Sequence, residues 1–136
     1  MLLTAASGLG GAEGQDIDFK RVIPHNNIMN QEIPYLNDII SIICSLVSPD
    51  GIILFGSYAR GDNKENSDID LLILKRGLKN EREMTNKLYK EFFDKKIHKP
   101  VDLLAIDNDK YVALSNEIGL IYKTIKNEGQ LIYGTI

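Results

Sequence analysis

Gly56-Ser57-Tyr58-Ala59-Arg60-Gly61, followed after a short polar loop by Ser67-Asp68-Ile69-Asp70-Leu71, decides how this chain is read. Ahead of it, Ile52-Ile53-Leu54-Phe55 is an apolar, β-prone run bounded by Gly51 and Gly56, which predicts a buried strand. Gly56-Ser57 lets the backbone turn sharply. If Tyr58 to Gly61 opens a short helix, free N–H groups and the helix dipole favour an anion there. Asp68 and Asp70 stand two apart at the mouth of a second apolar run, Leu71 to Leu74. In a strand, residues two apart share a face. Two neighbouring carboxylates repel unless a cation lies between them, so the pair predicts a divalent metal.

Working outward, Leu36, Ile39, Ile40, Ile43, Leu46 and Val47 recur at helical spacing, with Pro34 in the first turn and Pro49 as the stop. Leu71 to Leu74 is apolar on both faces and predicts a central strand. A helix is expected from about Asn80 to Ile97, capped by Asn80 with Glu83 three residues on. Met84, Leu88 and Phe92, with Tyr89 and Phe93 on the adjoining row, are expected to face the sheet. Val101 to Ile106 reads as a third strand carrying Asp102. One last helix is signalled by Leu114, Ile118, Ile121, Tyr122 and Ile125, with Gly129 ending it. Leu131 to Tyr133 reads as a short final strand or tail. The fold class is α+β, a small mixed sheet flanked by helices.

The 136 residues predict one folded domain, residues 32–136, preceded by a Gly-rich flexible arm over 1–31. No apolar run approaches the roughly 20 residues that span a bilayer, and the first residues lack a basic segment, so neither a membrane span nor a signal peptide is expected. One cysteine, Cys44, rules out an internal disulfide framework, fits a cytoplasmic protein, and reads as a small buried hydrophobe. The formal net charge of −3 argues against sequence-independent nucleic-acid binding by the whole surface. Nine of the sixteen basic residues fall between Lys75 and Lys99, which reads first as a solvated helix face. Asp107 and Asp109 read as a helix cap. His25 and His98 have no partner at metal-ligand spacing.

Gly-Ser, a nearby Arg-Gly, and Asp-x-Asp at a strand edge together resemble the nucleotidyltransferase superfamily, and most closely its minimal nucleotidyltransferases. The resemblance runs from about Tyr35 to Tyr133 and is most specific between Gly56 and Leu74. It implies that Asp68, Asp70 and Asp102 are the catalytic and metal-holding carboxylates. It also implies that Gly56, Ser57, Arg60 and Ser67 serve the nucleotide. Arg60 reads equally well as pairing with Asp62, and Ser67 as a local brace. Two Mg²⁺ ions, replaceable by Mn²⁺, are the implied cofactors. ATP or another NTP is the implied donor, and AMP the group transferred. Minimal nucleotidyltransferases are commonly paired with a HEPN-domain protein, so the resemblance implies an antitoxin that modifies its partner. Two alternatives stand beside it: a non-catalytic module that masks a HEPN partner, and a small-molecule nucleotidyltransferase of the aminoglycoside-modifying kind acting as a homo-oligomer.

Overall fold

The computed structural model describes residues 33–135, and the expected arm over residues 1–31 lies outside them. In chain order the elements are α1 (Leu36–Val47), β1 (Gly51–Phe55), α2 (Ser57–Arg60), β2 (Ile69–Leu74), α3 (Glu81–Asp94), β3 (Val101–Ile106), α4 (Asn108–Leu114), α5 (Ile121–Glu128) and β4 (Gln130–Gly134). They build one mixed four-stranded sheet in the order β3-β2-β1-β4. β1 runs antiparallel to both β2 and β4, and β2 runs parallel to β3. A parallel pair needs a long crossover, and α3 supplies it.

Alternation along the strands sorts the core into two layers. Ile52, Leu54, Ile69, Leu71, Ile73 and Leu103 pack beneath α1 and α3, where Ile39, Ile43, Met84, Leu88 and Phe92 meet them. Ile53, Leu72, Leu74 and Ile106 face the other way, beneath Tyr111 of α4 and Ile125 of α5. Leu71 to Leu74 are completely buried, as expected of a strand covered on both sides. Each such side chain contributes about 1.5–3 kcal/mol relative to exposure.

Several helix ends follow the sequence signals, but Pro34 lies ahead of α1, whose N-cap is the left-handed Tyr35, and α3 stops at Asp94, short of the expected Ile97. Asn80 Oδ1 accepts the Glu83 N–H at 2.9 Å. Asp107 Oδ2 accepts the N–H groups of Asp109 and Lys110, while its Oδ1 accepts the Gly77 N–H at 2.6 Å. These bonds hold the Asp107 carboxyl below its usual range, those from Gly77 and Lys110 first. Asp109 takes no part as an acceptor in that cap; its carboxylate pairs with Arg76 at 3.3 Å. α1 ends at Val47, where Ser48 turns left-handed one residue ahead of Pro49.

Three expectations are corrected. The single last helix is two, because residues 115–120 leave the helical path and Gly119 turns at φ +93; Ile118, expected on the buried stripe, is 87% exposed. Phe93 does not face the sheet: it is 83% exposed, one position round the helix from the buried Phe92. Tyr89 is also partly exposed, but its hydroxyl reaches the sheet edge and accepts the Leu103 N–H at 2.8 Å. The closing segment is a true strand: β4 pairs along β1, with an irregularity between Ile52 and Ile53.

Candidate active site

The site lies where β1 ends and β2 and β3 begin. Phe55 pairs with Asp70, and Asp70 pairs with Asp102, so the three residues form one row across the sheet. Asp70 alternates with the buried Leu72 and Leu74, and Asp102 with Leu104 and Ile106, which puts both carboxylates on the face that α4 and α5 cover further along. Asp68 is not itself a strand residue, contrary to the expected shared strand face; β2 begins at Ile69, whose N–H bonds the Pro100 carbonyl at 2.9 Å. Asp68 still lies close enough for its charge to act on Asp70.

Asp70 carries the clearest electrostatic signature. Its carboxyl is pushed up to about 6, first by burial, then by the charges of Asp102 and Asp68, with Arg60 pulling weakly the other way. The charges of Asp102 and Asp68 disfavour an ionised Asp70, and a nearby cation would relieve that repulsion.

The turn before the carboxylates is built against them. Gly56 sits at φ +78, and a Cβ there would collide with Asp70 Oδ2 and stand 2.9 Å from Asp70 Cγ. The resemblance implies that Gly56 serves the nucleotide; in the structure the space where its side chain would stand is filled by the Asp70 carboxyl. Both backbone conformation and close approach require glycine. α2 follows at once, with Ala59 and Arg60 N–H bonded to the Gly56 carbonyl at 3.1 and 3.0 Å. Tyr58 packs into the core and carries the Lys99 ammonium 5.3 Å above its ring.

The remaining predicted residues fall as follows. The Arg60 guanidinium pairs with Asp62 at 3.1 Å and with Glu128 at 3.2 Å, all three side chains being well exposed. Ser67 Oγ accepts the Lys64 N–H at 2.7 Å and closes its own loop. Ser57 begins α2, and its carbonyl accepts the N–H groups of Gly61 and Asp62. Glu128 and Gln130 were not legible as site residues. Glu128 meets Arg60 across 68 positions, and Gln130 Nε2 donates to the Ala59 carbonyl at 3.1 Å across 71. No local motif signals either contact.

The sequence profile of the nucleotidyltransferase domain matches residues 36–132. The chain belongs to the nucleotidyltransferase family. A protein of Methanocaldococcus jannaschii named as a protein adenylyltransferase is 72% identical over 25 residues, which is 18% of this chain and a quarter, 25%, of that protein's length. The crystal structure of a toxin–antitoxin with AMP-PNP superposes with a TM-score of 0.52 at 22% identity, covering 74% of each chain. A variant of the MntA–HpeT toxin–antitoxin gives 0.52 at 21% identity, over 73% of this chain and 72% of that one. These likenesses show a shared nucleotidyltransferase fold. Among the described residues no helix is long and apolar enough to cross a membrane.

The donor set can be tested for a metal. Asp68, Asp70 and Asp102 offer hard carboxylate oxygens, the kind Mg²⁺ and Mn²⁺ take. Among the described residues no group of three or more His, Cys, Asp and Glu side chains could hold a metal ion by itself. Mg²⁺ commonly uses one or two protein carboxylates and completes its shell with water and substrate phosphates. Carboxylates of this kind are compatible with an ion that arrives with a triphosphate and completes its shell with phosphate oxygens and water.

Proposed function

We propose that this nucleotidyltransferase transfers AMP from ATP to an acceptor hydroxyl on a partner protein, with a divalent metal as cofactor. The observation that carries the reading is Gly56 packed without a side chain on the Asp70 carboxyl, with Asp70 in register with Asp102 across a parallel pair.

Nucleotidyl transfer asks a protein to position reactants and to balance charge more than to form bonds. Gly56 and Ser57 give the triphosphate a backbone surface, and the Ser57 hydroxyl adds a donor. Asp68 and Asp70 would hold the metal that accompanies the triphosphate. Bound metal would supply charge neutralisation at the phosphates and a more acidic attacking oxygen. Asp102 stands on the acceptor side, where its carboxylate accepts the proton of the attacking hydroxyl. The acceptor oxygen attacks the α-phosphorus, the bond to the bridging oxygen breaks, and pyrophosphate leaves.

The acceptor is inferred as a HEPN-domain toxin, which makes the chain an antitoxin. Support comes from the folds it is similar to, which belong to toxin–antitoxin complexes, and from the adenylyltransferase name of the archaeal relative. The test is incubation with each labelled NTP, Mg²⁺ and the product of a neighbouring HEPN gene, followed by mass measurement of both proteins. A gain of AMP on the partner, abolished by EDTA, is expected. No mass gain on any protein, with neutralisation intact, would replace catalysis by masking.

A further inference from the structure

We infer that Gln130 is a positioning residue for the Gly56–Arg60 turn, fixing it from the far end of the fold; this rests on the function proposed above. α2 has only four residues, too few to hold a helical shape alone. Its final carbonyls have no partner inside the helix. One of them, Ala59 O, receives the Gln130 side-chain N–H at 3.1 Å, in a half-buried place where a hydrogen bond is not washed out by solvent.

Gln130 is itself held firmly. It opens β4 and pairs with Leu54 of β1, the strand that leads into the turn. Gly129 before it lies flat on β1: a Cβ there would come within 2.5 Å of Ile125 O and 2.6 Å of Ile53 Cγ2. Glu128 on the other side of that glycine takes the Arg60 guanidinium. The three consecutive residues Glu128, Gly129 and Gln130 thus join α5, β1 and the turn at one point. The exposed Arg60–Glu128 pair is screened by solvent and contributes little. The Gln130 bond is the one that carries the brace. With Gly56 pinned on Asp70 at its start and Ala59 pinned on Gln130 at its end, the backbone of α2 is held in one arrangement before any triphosphate arrives.

The experiment compares Gln130→Leu, which removes the donor and keeps the bulk, with Gln130→Lys, which restores a donor of similar reach. ATP affinity is measured by calorimetry in excess Mg²⁺, and thermal stability by circular dichroism. Gln130→Leu should weaken ATP binding about fivefold, the worth of one hydrogen bond, and lower the melting temperature by a few degrees while the protein still folds. Gln130→Lys should restore most of the affinity. Unchanged ATP affinity in Gln130→Leu would overturn the inference, as would a Gln130→Leu protein that no longer folds, or a loss that Gln130→Lys does not repair at all. Absence of ATP binding by the wild-type protein would instead overturn the proposed function, and this inference with it.

Discussion

Gly56 and Asp70 occupy each other's space: where any other residue at position 56 would place its Cβ, the Asp70 carboxyl already stands. The turn proposed to receive phosphates and the carboxylate proposed to receive the metal are therefore one packing unit, and neither can shift without the other.

Gly56→Ala should therefore damage more than the turn. The Cβ meets Asp70, and φ +78 is strained for alanine, a cost on the order of 1–2 kcal/mol before any clash. The expected outcome is a lower melting temperature together with loss of metal-dependent ATP binding, both read on one protein by calorimetry. A variant that melts and binds ATP like wild type would show that the turn moves freely.

Asp70→Asn should separate folding from function in opposite directions. It removes one charge from a repelling trio, so the metal-free protein should melt a few degrees higher. Mg²⁺-dependent ATP binding and transfer should be lost. A lower melting temperature would mean that Asp70 is a structural carboxylate with a stabilising partner.

The pH dependence follows from the same group. Asp70 titrates near 6 in the folded chain, above an ordinary carboxyl near 3.8. A raised carboxyl binds its proton more tightly when folded, so its contribution to stability is full below about pH 4 and is lost as pH rises through 6. Metal-free wild type should lose stability across that window relative to Asp70→Asn, as denaturant titrations at several pH values will show. ATP affinity in Mg²⁺ should rise over the same range, since metal binding needs the ionised form. Parallel pH profiles for the two proteins would contradict the assignment.

Asp102→Asn should lower turnover far more than ATP affinity, because the proposed mechanism gives Asp102 the acceptor side of the row. Calorimetry and initial rates together test this. A matched fall in both would put Asp102 on the triphosphate instead.

Core and surface on α3 should diverge sharply. Leu88→Ala, at a fully buried position, should cost about 2–5 kcal/mol. Phe93→Ser, five residues on, should leave stability within about 0.5 kcal/mol, since the ring is 83% exposed. Urea denaturation of the two variants decides it; a large loss from Phe93→Ser would return that ring to the core.

The sequence by itself determined the local grammar of this protein. Apolar runs marked β1 and β2 because a strand buried on both faces must be continuously apolar, and the edge strand β3 showed as a shorter apolar run after Asp102. Asn80 and Asp107 marked helix starts because a cap is a hydrogen bond between neighbours in the chain. Gly-Ser followed by Asp-x-Asp pointed to the family for the same reason: a turn and the strand after it are close in sequence. What spans long distances was decided only by the tertiary structure. The pairing of Asp70 with Asp102 comes from a parallel register across the α3 crossover. Ile118 fell outside the buried stripe because the chain leaves the helical path between Leu114 and Ile121, and Phe93 because α3 buries the row of Phe92 instead. Gln130 and Glu128 acquire a role only because β4 returns beside β1, laying two ordinary polar residues against a turn some seventy positions away. Hydrogen bonds and packing act over a few ångströms, so a contact between distant residues exists only once the sheet has closed the distance.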